Sequence, residues 1–105
     1  MMIKYDIEIS NEALASNLKR ITNQIYKLLP NREEGIDWET PLSTVMEELT
    51  GMNRMLFDQQ DTFIPLLSKL EGLFTLQEED DFFLYRRTIF ECLSLVNGLI
   101  KHCQA

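Results

Sequence analysis

Apolar residues recur every three or four positions through nearly the whole of this chain, and only the first nine residues break the pattern. There Ile3, Tyr5, Ile7 and Ile9 alternate with Lys4, Asp6 and Glu8, which is the period-2 signature of a strand. On a helix, Ile3 and Ile7 would share one side while Tyr5 and Ile9 fell nearly opposite, leaving two weak stripes and no single buried face. The segment therefore reads as a β-arm over residues 1–10. Everything after it has helical spacing, so the arm has no strand of its own chain to pair with. Its N–H and C=O groups need an outside strand, supplied by a second copy or by another protein.

The remainder reads as four helices. Ser10 and Asn11 offer N-caps, and Leu14, Leu18, Ile21, Ile25 and Leu28 then follow at spacings of four and three, one apolar stripe facing a core. Pro30 disfavours the α region for the residue before it, which places the first helix at 11–29. Thr40 and Pro41 form a start signal for a helix over 40–58, with Leu42, Val45, Met46, Leu49, Met52, Leu56 and Phe57 on its buried face. Thr62 is the expected cap of a short helix over 62–74. Thr75 and Glu78 match a capping box opening a long helix over 76–103. On that helix Phe82, Tyr85, Ile89, Cys92, Val96, Leu99 and Cys103 repeat at threes and fours, and a second set, Phe83, Phe90, Leu93 and Ile100, widens the band. A band so broad implies burial on more than one side, as the central helix or along a dimer seam. The expected fold is all-α: one domain over 1–105, a four-helix bundle with an N-terminal β-strand arm, dimeric through the arm or the last helix.

Composition narrows the functional classes. The chain has 105 residues and a formal charge of −7, and an acidic surface repels nucleic-acid phosphate while it attracts basic partner surfaces. No direct nucleic-acid binding is expected. Cys92 and Cys103 are eleven residues apart on one helix, about 16 Å of rise, too far for a disulfide. Free thiols suit a reducing cytoplasm. No apolar stretch approaches the length of a membrane span, and the N-terminus lacks the pattern of a secretory signal.

Catalytic signals are weak. His102 is the only histidine, and its neighbour Cys103 points about 100° away around a helix. One histidine and two separated cysteines do not make a metal site. The run Glu78, Glu79, Asp80, Asp81 lacks the glycine-punctuated spacing of a calcium loop and suits a helix N-terminus. No phosphate-binding glycine loop is present. The reading is therefore a non-enzymatic protein with no cofactor or metal.

The residues left for binding are of three kinds. Ile3, Tyr5, Ile7 and Ile9 would add as a strand to a partner's sheet. Trp38 sits in the long connection PNREEGIDWE as an interface anchor or, as the plainer alternative, a lid over the end of the bundle. The acidic residues Glu33, Glu34, Glu78, Glu79, Asp80 and Asp81 would form one negative face if the fold brings their segments together. Among the basic residues, Arg87 and Glu91 are spaced to pair, Arg86 suits an ion pair or an interface contact, and the bases of the first helix are expected to pair with acid within the chain.

The stretch LPNREEGIDWETPLSTVMEELTGMNRML, with FFLYRRTIFECLSLV downstream, resembles small uncharacterised helical proteins of phages and conjugative elements of Gram-positive bacteria. The likeness spans roughly residues 18–100 and is one of helical pattern. Small acidic proteins of that class resemble inhibitors of host defence systems, including anti-CRISPR proteins. The resemblance implies a protein-binding inhibitor of a host nucleoprotein, such as a CRISPR nuclease, with a basic or nucleic-acid-handling host protein as partner. The alternative is a phage structural or assembly protein acting through self-association.

Overall fold

The structure, a computed structural model, describes the backbone of residues 3–53 and 59–104, with side chains over 12–53 and 59–103. Four helices follow in order: α1 over Ile3–Glu33, α2 over Glu39–Asn53, α3 over Gln60–Leu73 and α4 over Phe82–Gln104. A 3-10 turn, Glu79–Asp81, leads into α4. Each helix packs against two neighbours, α1 on α4 and α2, α3 on α4 and α2. The result is a four-helix bundle in cyclic order with one core down its axis.

The stripes anticipated in the sequence form that core. Leu14, Leu18, Ile21, Ile25 and Leu28 of α1 are buried against Leu42, Val45, Leu49 and Met52 of α2, Phe63, Leu66, Leu70 and Leu73 of α3, and Tyr85, Ile89, Cys92, Val96 and Leu99 of α4. Fully burying a side chain of this size is worth about 1.5–3 kcal/mol, so the shared faces hold the bundle shut. Leu56 and Phe57 lie outside the described residues.

The β-arm is corrected. The backbone is helical from Ile3 and continues unbroken into α1, and no strand occurs among the described residues. A solitary strand would leave its backbone groups unpaired, whereas a helix satisfies them within itself. Ile3 and Ile7 also stand eleven and seven positions before Leu14, the spacing of the α1 stripe carried backwards. The period-2 alternation was real, but Tyr5 and Ile9 were its only support. The side chains of Ile3, Tyr5, Ile7 and Ile9 lie outside the described residues.

Helix boundaries shift for local reasons. Pro30 lies inside α1, which runs three residues further and ends in a Schellman turn. Ile36 N–H reaches Asn31 O at 2.8 Å, Gly35 N–H reaches Arg32 O at 3.3 Å, and Gly35 has φ 72°, a conformation that only glycine takes freely. The start of α2 is capped by Asp37 rather than Thr40: its Oδ1 accepts from the N–H groups of Glu39 at 3.0 Å and Thr40 at 3.2 Å. Hydrogen bonds from Thr40, its side chain first and its backbone second, hold the Asp37 carboxyl below its ordinary pKa. Helix α3 begins at Gln60 instead of Thr62, which puts Pro65 inside it. The capping box before α4 is formed by Glu78 and Asp81. Thr75 instead closes α3, its hydroxyl donating to Gly72 O at 2.7 Å.

Candidate functional site

The α1–α2 and α3–α4 connections meet at one end of the bundle, and Arg32 ties them together. Its Nη2 donates to Leu76 O at 2.9 Å and Glu78 O at 2.7 Å. The guanidinium carbon lies 5.2 Å from the Phe82 ring centre and 4.7 Å from that of Tyr85. A planar guanidinium satisfies carbonyls at its edge and rings on its face at once. Gln77 Nε2 adds a second tie, donating to Glu39 Oε2 at 2.9 Å and Phe74 O at 2.7 Å.

Beneath this tie sits Trp38. It is 9% exposed, stacks on Phe74 with ring centres 6.3 Å apart and meets Tyr85 edge-on at 5.1 Å. Trp38 is thus the lid of the core, and its reading as an exposed interface anchor is corrected. The loop is short and anchored at both ends, so the largest apolar ring falls inward, where its burial gains most. The apolar residue displayed by this connection is Ile36, 51% exposed. No periodicity marks Ile36, because its direction is set by the Schellman turn. Tyr85 is buried under Arg32, and its hydroxyl approaches Leu28 O at 3.5 Å. Burial pushes the phenol well above its ordinary pKa, while the charge of Arg32 works against that shift.

The tie brings two acidic segments to one end. Glu33, Glu34, Asp37 and Glu39 come from the end of α1, the turn after it and the start of α2, and Glu78, Glu79, Asp80 and Asp81 from the α3–α4 connection. All but Asp81 are exposed. The positive charge of Arg32 is turned inward onto carbonyls and rings, so no ion pair screens this end among the described residues.

A second exposed region lies along the outer face of α1 and α4. Phe83 is 75% exposed, Tyr26 54% and Phe90 40%, although Phe83 and Phe90 belong to the band expected to be buried. Tyr26 meets Phe90 edge-on at 6.2 Å, and Arg86 lies over Phe90 at 5.2 Å. A cavity of about 440 Å³ opens between Phe83, Arg86, Arg87, Phe90, Glu91 and Ser94. A neighbouring hollow of about 420 Å³ between α1 and α4 is lined by Lys19, Thr22, Asn23, Asn97, Ile100 and Lys101. Glu91 is engaged by Lys69 at 3.1 Å and Arg87 at 3.5 Å. On α1, Arg20 pairs with Glu48 at 2.8 Å, so that base does meet acid within the chain, on α2 rather than in the connection.

Chemistry at either place is limited. Among the described residues no three His, Cys, Asp or Glu side chains are grouped to hold a metal ion, and no helix is long and apolar enough to cross a membrane. Both cysteines are buried and unpaired. Burial pushes the Cys92 thiol up to about 12, with Lys69 opposing, and raises that of Cys103. A thiol so protonated is a poor nucleophile. No protein-family model, curated protein or solved structure matches this chain.

Proposed function

We propose that this chain is a non-enzymatic protein-binding module whose acidic end engages a basic surface of another protein. The observation that carries the reading is the convergence of Glu33, Glu34, Asp37 and Glu39 with Glu78–Asp81 on one end locked by Arg32. Ile36, exposed among them, supplies the apolar contact that acidic steering alone lacks, since charge sets encounter and specificity while buried apolar anchors carry affinity. The resemblance to small proteins of mobile elements extends the proposal: an inhibitor of a host defence nucleoprotein such as a CRISPR nuclease, acting in the cytoplasm, where the two thiols stay reduced. A basic cleft built for nucleic acid is the surface that such an end would fit. The second reading, an assembly protein acting through self-association, is favoured by the exposed rings of Tyr26, Phe83 and Phe90.

The test is to reverse the acidic end without disturbing its caps. Glu78 and Asp81 hold each other in the capping box and Asp37 caps α2, so those three are left in place. The double variant Glu34→Lys with Ile36→Lys should keep its helicity and lose capture of a basic or nucleic-acid-handling protein from host lysate by about tenfold, the equivalent of ~1.4 kcal/mol. Undiminished capture by that variant, or recovery of the chain's own copies alone, would count against it.

A further inference from the structure

The outer face of α1 and α4 is charged in an odd order about an aromatic centre. On α1, Lys19, Tyr26 and Glu33 stand seven residues apart, so Lys19 and Glu33 lie about 10 Å on either side of Tyr26 and each within ~20° of it around the helix. On α4, Lys101 stands eleven residues after Phe90, about 16 Å along the same face. The 3-10 turn holding Glu79 and Asp80 lies a comparable distance before Phe90. Because α1 and α4 run antiparallel with Tyr26 against Phe90, the two lysines gather at one end of the face, where they line a single hollow. The carboxylates gather at the other end. Among the described residues neither Lys19 nor Lys101, nor Glu33, Glu79 or Asp80, has an ion-pair partner.

We propose that this face pairs with the same face of a second copy, antiparallel, about a two-fold axis that lies in the interface and crosses α1 and α4 at the level of Tyr26 and Phe90. Such an operation leaves the aromatic centre on itself and carries the lysine end of one copy onto the acidic end of the other, twice per dimer. Arg86 then faces the stretch of α4 around Ser94 and Asn97 rather than another cation. An isologous contact of this kind closes at two copies and builds no filament. Phe83, Phe90 and Tyr26 are left exposed in the single chain, and contiguous apolar surface rimmed by polar groups marks an interaction site. The charge order selects a second copy over a foreign partner because the face supplies its own complement. The acidic end supplies Glu33, Glu79 and Asp80 to this face, but the two readings are told apart by their variants: Glu34 and Ile36 lie on the α1–α2 turn, whereas Lys19 and Lys101 lie at the opposite end of the face.

Sedimentation of the full chain over a concentration series tests it. The wild type should approach twice the monomer mass by roughly 100 µM, the range of a modest interface, and dissociate in high salt. Lys19→Glu with Lys101→Glu should weaken self-association by at least about tenfold, and Glu33→Lys with Glu79→Lys and Asp80→Lys should do the same. An equimolar mixture of the two variants should dimerise again, and so should a single chain carrying all five changes, whose net charge stays acidic. Phe90→Asp should be monomeric in every background. A wild type that stays monomeric at all concentrations, or five-fold exchange that fails to restore the dimer lost by either half, overturns the proposal.

Discussion

At the acidic end and on the α1–α4 face, an arginine lies over an aromatic ring, yet the two regions are built in opposite ways. Arg32 spends its donors on Leu76 O and Glu78 O and its face on Phe82 and Tyr85. Its charge is consumed in holding two connections together, and the carboxylates around it stay uncompensated. Arg86 covers Phe90 alone, is itself exposed, and lies over a ring that is 40% exposed. The first arrangement is complete within the chain; the second leaves ring and guanidinium exposed. The same residue pair therefore signals structure or recognition according to whether the edge donors already have acceptors.

Breaking the first arrangement should cost the most. Arg32→Met keeps an apolar stem over the rings but leaves two carbonyls short of a donor. Urea unfolding should show a loss of about 2–3 kcal/mol, from charged hydrogen bonds and cation–π contact at a half-buried site. A loss below ~0.5 kcal/mol would show that the tie is ornamental and the acidic end not locked. Raising the pH by about one unit past 9 is expected to come next in size. The folded-state values of Cys92 and Tyr85 are raised by burial above those of the unfolded chain, so the unfolded chain gives up these protons first. Stability is then full below about pH 9 and falls as pH rises toward 12, by about 1.4 kcal/mol per unit for each group titrating only when unfolded. Stability unchanged between pH 8 and 11 would contradict the burial of Cys92 and Tyr85. The smallest effect belongs to Arg86→Met, which should change monomer stability by less than ~0.5 kcal/mol. A larger loss would make Arg86 a second structural tie and remove the contrast.

Much of the core could be read directly. Leu14 through Leu28 on α1, and Tyr85, Ile89, Cys92, Val96 and Leu99 on α4, are buried where their spacing put them. Leu66 and Leu73 of α3 escaped notice, because Phe63, Leu67, Leu70 and Phe74 also fit a helical stripe, and Leu67 and Phe74 prove to be only partly buried at its edge. Phe83 and Phe90 were expected to be covered either by a central position of α4 or along a dimer seam, and within the single chain they are exposed. Hydrophobicity cannot distinguish a ring that fills the core from one that waits on the surface, and α4 simply has no third neighbour on that side among the described helices.

The site was less legible than the core. The acidic residues were visible as two segments, but their convergence depends on Arg32 reaching carbonyls at positions 76 and 78, a contact spanning more than forty residues that no local pattern encodes. Trp38 had two readings, the lid being the plainer, and the packing of Phe74 and Tyr85 around it separates lid from anchor. Ile36 carried no signal at all, since its exposure follows from the left-handed turn at Gly35.

What this sequence determined by itself is the number of helices and most of the face that α1, α2 and α4 bury, because the 3.6-residue repeat turns spacing into direction without reference to anything distant. The tertiary structure decided the rest. It joined the opening residues to α1 instead of leaving a strand without a mate, drew the tryptophan inward, gathered the carboxylates at one end, and left three rings bare on the α1–α4 face. Each of those outcomes depends on which groups remain unsatisfied once the helices are packed, and that is a property of neighbours far apart along the chain.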